Sequence, residues 1–229
     1  SIILFTISFN LAKKRSTPVN GFEKQELETQ GMMSRLFGSK PGHNALVEIN
    51  NFLAESTAAT ELTEEIVSNF IKNWGAKFDS SNIEYRSSMY RKVADHVYIS
   101  AVSKDDPVFE ETKHLAQVLE LPEKLQRLAD NGAKKVAYFS RCRKIISGEE
   151  PLTISEINNV FGYDYEDGYD IRVQVFHDYL NKKFDEIAEQ QRFSPDEETA
   201  LREICTKLDI PYEFKPNIQN ALDKYRYLW

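Results

Sequence analysis

Apolar residues recur every three or four positions over most of this chain, and this spacing constrains its fold more than any other feature. From Asn44 onward the pattern returns in segment after segment, for example at Leu201, Ile204 and Leu208. Such residues share one face of an α-helix, and helices that bury such faces against each other form a bundle. No stretch alternates apolar and polar residues with comparable regularity, as a half-buried strand would. The sequence therefore predicts an all-α helical bundle with helices of about 8 to 20 residues.

Capping motifs in the sequence predict where several helices begin and end. Thr153–Glu156 and Ser194–Glu197 each combine a hydroxyl residue with a glutamate three positions later. In this capping box each side chain bonds to the backbone N–H of the other residue, and the helix starts there. Gly75 and Gly162 follow helical stretches and are predicted to end them, since glycine adopts the left-handed conformation of a helix C-terminus without strain.

Two stretches of the chain echo each other. Asp106–Leu125 and Pro195–Phe214 align without a gap at an offset of 89 residues. Four pairs of apolar or proline residues match: Leu115 with Ile204, Leu119 with Leu208, Leu121 with Ile210, and Pro122 with Pro211. A duplication would produce this match, and so would any two amphipathic helices that end before a proline. The sequence thus leaves open two related modules, 44–145 and 150–229, or one continuous bundle.

The second stretch carries a resemblance to a known family. Phe193–Glu197 and Leu208–Ile210 match a loop of Asp-Gly-x-apolar-Ser-Pro-x-Glu type and a following helix that ends in Leu-x-Leu. Over residues 175–225 the chain therefore resembles the TerB-like helical family of tellurite-resistance proteins and membrane-anchored co-chaperones. The resemblance implies a helical module whose acidic residues near the loop have been suggested to bind metal. Gln190 and Gln191 stand at the family's Asp-Gly positions, and this departure puts metal binding in doubt.

The N-terminal region leaves more than one interpretation open. Ile2–Phe9 is mostly apolar and is followed by the basic residues Lys13–Arg15, while the chain starts at Ser1 as a fragment or a processed chain would. Two interpretations of residues 1–15 stay open. They form the remnant of a membrane-spanning helix, which would place the rest in the cytoplasm, or a short element packed on the domain. Residues 16–43 are predicted to be a linker with one weak helix around Phe22–Phe37.

Charge is strongly segregated in the middle of the chain. Seven basic residues lie between Lys124 and Lys144 with only Asp130 opposing them, whereas Ile145–Ile171 holds seven acids and no base. Three interpretations stay open. The two blocks attract each other within the fold, they are solvated faces, or they bind a partner. The net charge of −7 argues against nucleic acid as that partner.

The candidate partner-binding residues lie in these two blocks. They are three tyrosines of an acidic loop and three basic residues of the preceding helix: Tyr163, Tyr165, Tyr169, Lys134, Lys135 and Arg141. Tyrosine supplies a large contact area at a small entropic cost, as interfaces require. The alternative for the loop is a polar connection between helices.

No motif for catalysis, cofactor or metal binding stands out. The cysteines, Cys142 and Cys205, are predicted to be buried reduced thiols. Glu111 and His114 have the Glu-x-x-His spacing of di-metal proteins, but a second such pair is lacking. The sequence therefore predicts a non-enzymatic protein-interaction or scaffold module with an unidentified protein partner, in the cytoplasm or tethered to the cytoplasmic face of a membrane. The alternative is a metal- or ligand-responsive TerB-like stress-response module, whose metal would need converging carboxylates.

Overall fold

The computed structural model describes residues 21–29, 41–214 and 216–226, and these residues contain helices and no strand. The all-α prediction is therefore confirmed for the part of the chain that is described. The α-helices are α1 His43–Glu55, α2 Glu64–Trp74, α3 Ile83–Ser100, α4 Phe109–Val118, α5 Glu123–Ser147, α6 Ile154–Phe161, α7 Tyr169–Gln190, α8 Pro195–Lys207 and α9 Pro216–Arg226. Short 3-10 helices lie at Ala59–Glu61 and Ser80–Asn82.

The chain divides into two compact units. The first comprises Ser1–Ala101 and Asp105–Ala133, and the second comprises Val102–Lys104 and Lys134–Trp229. The division falls inside α5, whereas the two-module interpretation of the sequence, one of two left open, places the break between residues 145 and 150. A long helix shows no break in its apolar pattern, so its sequence does not mark such a division.

The helix ends follow the predicted cap chemistry. The hydroxyl oxygens of Thr153 and Ser194 accept the backbone N–H of the residue three positions on, and the two capping boxes are complete. Gly75 and Gly162 end α2 and α6 with φ angles of 60° and 64°. This left-handed conformation lets the terminal N–H groups reach carbonyls of the last helical turn.

The helices α4 and α8, which lie in the two matching stretches, end in the same way. Leu121 N–H donates to Ala116 O, and Ile210 N–H donates to Cys205 O, both at 3.0 Å. Between helix and proline, Glu120 and Asp209 adopt left-handed φ angles of 47° and 53°. The aligned residues therefore share one local geometry in the first and second units.

Each unit has an apolar core built from the predicted helix faces. Core residues of the first unit include Leu46, Ile49, Leu53, Met89, Val93, Val97, Leu115 and Leu119. Buried residues of the second unit include Ile157, Phe161, Phe176, Leu180, Leu201 and Leu208. The predicted burial of the reduced thiols of Cys142 and Cys205 is confirmed, and burial raises their pKa values to about 12 and about 11.

The region before α1 differs from its prediction. Residues 22–29 form neither helix nor strand, so the weak helix expected over Phe22–Phe37 is wrong for these residues. Phe22 is buried in the core of the first unit, and the segment is bound along α1. The apolar stretch of residues 1–15 lies outside the described part. No helix among the described residues is long and apolar enough to cross a membrane.

Candidate functional site

The predicted tyrosine loop folds around a buried arginine. Arg172, in the first turn of α7, is fully buried, and its Nη2 donates to the carbonyl of Tyr165 at 3.0 Å. Its guanidinium carbon lies 4.7 Å from the ring centre of Tyr165 and 5.7 Å from that of Tyr169. These two tyrosines therefore hold a buried cation, and only Tyr165 is substantially exposed, at 44%.

Tyr138 of α5 ties the same loop to the core. Its hydroxyl donates to Asn158 at 2.7 Å and accepts a hydrogen bond from Arg172 at 3.0 Å. Burial raises the pKa of Tyr138 to about 12. Its ring contacts that of Tyr163, with 5.4 Å between the centres. The backbone at Gly168 passes so close that a Cβ there would lie 2.4 Å from the Tyr138 ring. The loop is thus shaped by packing, and its role in partner binding stays a prediction.

The three predicted basic residues do not share one surface. Lys135 is exposed, and the ammonium of Lys134 lies 5.9 Å from the ring centre of Tyr163. The side chain of Arg141 is 5% exposed and lies 3.5 Å from the Glu150 carboxylate, whose side chain is 4% exposed. The prediction that Arg141 contacts a partner is therefore corrected, because its charge is buried beside a carboxylate.

The Glu111 and His114 pair, whose spacing matched that of di-metal proteins, serves local structure. Glu111 accepts the Ala59 N–H at 2.7 Å, and His114 Nε2 donates to the Leu62 carbonyl at 2.8 Å. The Glu-x-x-His pair thus clamps the 3-10 helix at Ala59–Glu61. Among the residues that the structure describes, no group of three or more His, Cys, Asp or Glu side chains could hold a metal ion.

The most specific recognition in the described structure lies along α1. Two asparagine side chains each hold both backbone groups of one residue in the extended segment 22–29. Asn51 accepts the Gln25 N–H at 2.7 Å and donates to the Gln25 carbonyl at 2.9 Å. Asn44 does the same for Glu28, at 2.8 Å and 3.0 Å. A side-chain amide matches the donor and acceptor of a peptide unit, so this pairing replaces the ladder of a neighbouring strand.

The spacing of these two asparagines fits the segment. Asn44 and Asn51 are seven residues apart, which is about 10.5 Å along a helix and nearly two full turns, so they lie on one face. Gln25 and Glu28 are three residues apart, which is about 10 Å in an extended chain. Because both pairs of bonds form, the chain is extended between Gln25 and Glu28, and the segment runs antiparallel to α1. We call Asn44, Asn50 and Asn51 the asparagine ladder.

Further contacts hold segment 22–29 on the first unit. Asn50, 1% exposed, donates to the Glu23 carbonyl at 2.8 Å. Phe22 is the apolar anchor, and the ammonium of Lys92 lies 5.0 Å from its ring centre. The Tyr85 hydroxyl donates to the side-chain carbonyl of Gln25 at 2.7 Å. The site thus combines hydrogen bonds to the backbone of three residues with an aromatic anchor and a contact to a glutamine side chain.

Sequence reasoning missed the asparagine ladder, although a signal was present. Asparagine has a low helix propensity, yet Asn44, Asn50 and Asn51 all lie in α1. Two of them are on the buried side of an apolar helix, where a polar side chain needs a hydrogen-bond partner. The pattern could therefore have indicated a bound segment, although not which one.

Comparison with known proteins gives no relative: no protein-family model, curated protein or solved structure matches this chain. The TerB-like resemblance accordingly stays a prediction.

Proposed function

We propose that this protein is a non-enzymatic protein-interaction module that binds an extended peptide along α1. Residues 22–29 are the occupant that the chain itself supplies. The observation that carries the proposal is the paired bonding of Asn44 and Asn51 to the two backbone groups of one residue each. Backbone bonds of this kind accept many sequences, while side-chain contacts select among them.

The energetics favour an occupant that can be exchanged. Six hydrogen bonds from the asparagine ladder and Tyr85 hold the segment, and each contributes about 1 kcal/mol. Burial of the Phe22 side chain adds roughly 2 kcal/mol. Ordering eight backbone residues costs about 0.8 kcal/mol each at the low end of the range, or roughly 6 kcal/mol in all. The docked segment is therefore favoured by about 2 kcal/mol, which is enough to compete with a free peptide by more than tenfold and still small enough for that peptide to displace it.

The test uses the full chain and a fluorescent peptide that copies residues 21–29. The substitution Phe22→Ser removes the anchor of the chain's own segment, so it should free the site. We expect the peptide to bind this variant at least about tenfold more tightly than the unaltered chain, because the tethered competitor is weakened. Adding Asn44→Ala and Asn51→Ala should abolish that gain.

The matched control is Asn69→Ala, which removes an exposed asparagine of α2 and should leave the gain intact. If Phe22→Ser did not strengthen peptide binding, or if the ladder substitutions left the gain unchanged, α1 would not be a peptide-binding surface.

A further inference from the structure

Helices of the second unit match helices of the first in order. Two buried arginines show which residues of the two units correspond. Arg86 and Arg172 each stand four residues after the N-cap of a long helix, α3 or α7. The Nη2 of each donates to the carbonyl seven residues earlier, of Asp79 at 2.9 Å and of Tyr165 at 3.0 Å. Counted from the N-caps, Lys92 of α3 therefore corresponds to Asp178 of α7.

The helices α1 and α5 align in the same way when they are counted from their last residues, Glu55 and Ser147. Five pairs of buried residues then coincide: Ala45 with Ala137, Leu46 with Tyr138, Ile49 with Arg141, Asn50 with Cys142, and Leu53 with Ile145. In this register Asn51 corresponds to Arg143, and Asn44 corresponds to Val136.

The face that binds the segment in the first unit is open in the second. Asn44 is 0% exposed under residues 22–29, whereas Val136 is 51% exposed. Arg143 and Asp178, the counterparts of Asn51 and Lys92, border a groove of about 350 Å³ between α5 and α7. The second unit thus has a groove where the first unit binds its extended segment.

The chemistry of this groove differs from that of the asparagine ladder. Val175, 1% exposed, lies on its floor with Ile146 and Tyr179 beside it. Arg143 and Lys182 stand at its rim, and Asp178 lies 3.7 Å from Arg143. With two cations against one anion, the rim carries net positive charge. The groove therefore suits an apolar anchor side chain with carboxylates on either side.

From these observations we infer that the groove between α5 and α7 binds an extended acidic segment of a partner protein, with an aromatic or aliphatic anchor. The segment 22–29 has this composition, since Phe22 is followed by Glu23, Glu26 and Glu28 with Lys24 as its one base. The inference rests on the proposed function, because it assumes that both units bind extended segments.

The test titrates the full chain with two fluorescent peptides. One is GFEKQELET, the sequence of residues 21–29, and the other is its charge-reversed form GFKEQKLKT. We expect the acidic peptide to bind at least about tenfold more tightly than the reversed one, and the difference to shrink in high salt. The double substitution Arg143→Glu and Lys182→Glu should weaken acidic-peptide binding by about tenfold or more.

Two controls separate this inference from the first proposal. Lys72→Glu with Lys124→Glu changes the net charge equally at exposed positions and should leave binding unchanged. Asn44→Ala with Asn51→Ala disables the ladder alone and should also leave it unchanged. Circular dichroism confirms that each variant folds.

Equal binding of the two peptides, or binding that the Arg143 and Lys182 substitutions leave intact, would overturn the inference. Loss of binding on the asparagine substitutions instead would place the peptide at α1, which supports the proposed function and removes the second site. Self-association of the chain that the Arg143 and Lys182 substitutions abolish would make the occupant a second copy, against the inference.

Discussion

The substitution Asn44→Ala is expected to release the end of segment 22–29 while the first unit stays folded. The Asn44 side chain supplies both hydrogen bonds that hold Glu28. Alanine removes the two bonds, which are partly buried against α1. The Glu28 N–H and carbonyl regain partners by turning to water, so the effect is expected on the docking of the segment.

The magnitude follows from the two bonds. Each contributes about 1 kcal/mol, so docking at Glu28 weakens by about 2 kcal/mol. Since 1.4 kcal/mol is a factor of ten, opening becomes about 30-fold more frequent. Alanine also raises the helix propensity of α1 by roughly 0.5 kcal/mol. The free energy of unfolding of the whole unit should therefore change much less than the docking of the segment.

Amide hydrogen exchange measured by NMR resolves the effect residue by residue. In the unaltered chain, Gln25 and Glu28 should be protected because their amides bond to the ladder. Glu26 and Leu27 donate no amide hydrogen bond to any residue in the described part of the chain, and they should exchange freely. Asn44→Ala should accelerate exchange at Glu28 by about 30-fold.

Two results would refute this reasoning. If all four amides exchanged at the same unprotected rate in the unaltered chain, the segment would not be bound along α1. If Asn44→Ala left Glu28 protected, the asparagine amide would not be what holds it. Asn69→Ala on α2 is the control and should change neither rate.

Three further predictions concern the second unit. Gly168→Ala should lower the free energy of unfolding by about 3 kcal/mol, because its Cβ would lie 2.4 Å from the Tyr138 ring. Gly148→Ala, with a φ of 76° and no atom near its Cβ, should cost only about 1 kcal/mol in the same urea denaturation. Arg172→Met should cost about 2 kcal/mol by the same assay, since it removes two hydrogen bonds from a charged group; an unchanged midpoint would refute this. Both cysteine thiols should resist Ellman's reagent at pH 8 until the protein unfolds, because burial shields them and raises their pKa values; rapid reaction of the native chain would contradict their burial.

The helices and their ends were predictable because their signals are local. The 3.6-residue period, the capping boxes at Thr153 and Ser194, and the glycines at 75 and 162 act within one or two turns of chain. The shared ending of α4 and α8 was also visible as a match in sequence. In each case the residues that determine the geometry are near neighbours along the chain.

The buried charges were not predictable in this way. Arg141 was predicted to contact a partner and therefore to be exposed, because charged side chains seldom lie in an interior. The structure buries Arg141 beside Glu150, and it also buries Arg172, whose partner Tyr138 lies 34 residues earlier. Composition therefore indicated a basic helix surface, whereas in the folded protein Arg141 is buried and does not belong to that surface.

The conformation of segment 22–29 likewise depends on residues far along the chain. Residues 22–29 have no backbone bonds among themselves, so no local pattern in them specifies an extended chain. Their conformation depends on Asn44, Asn50 and Asn51, some 16 to 27 residues further on. Local sequence was thus enough to specify where helices form, because the hydrogen bonds of a helix join residues four apart. Which helix face binds segment 22–29 followed only from packing, since these bonds join parts of the chain that only folding brings together.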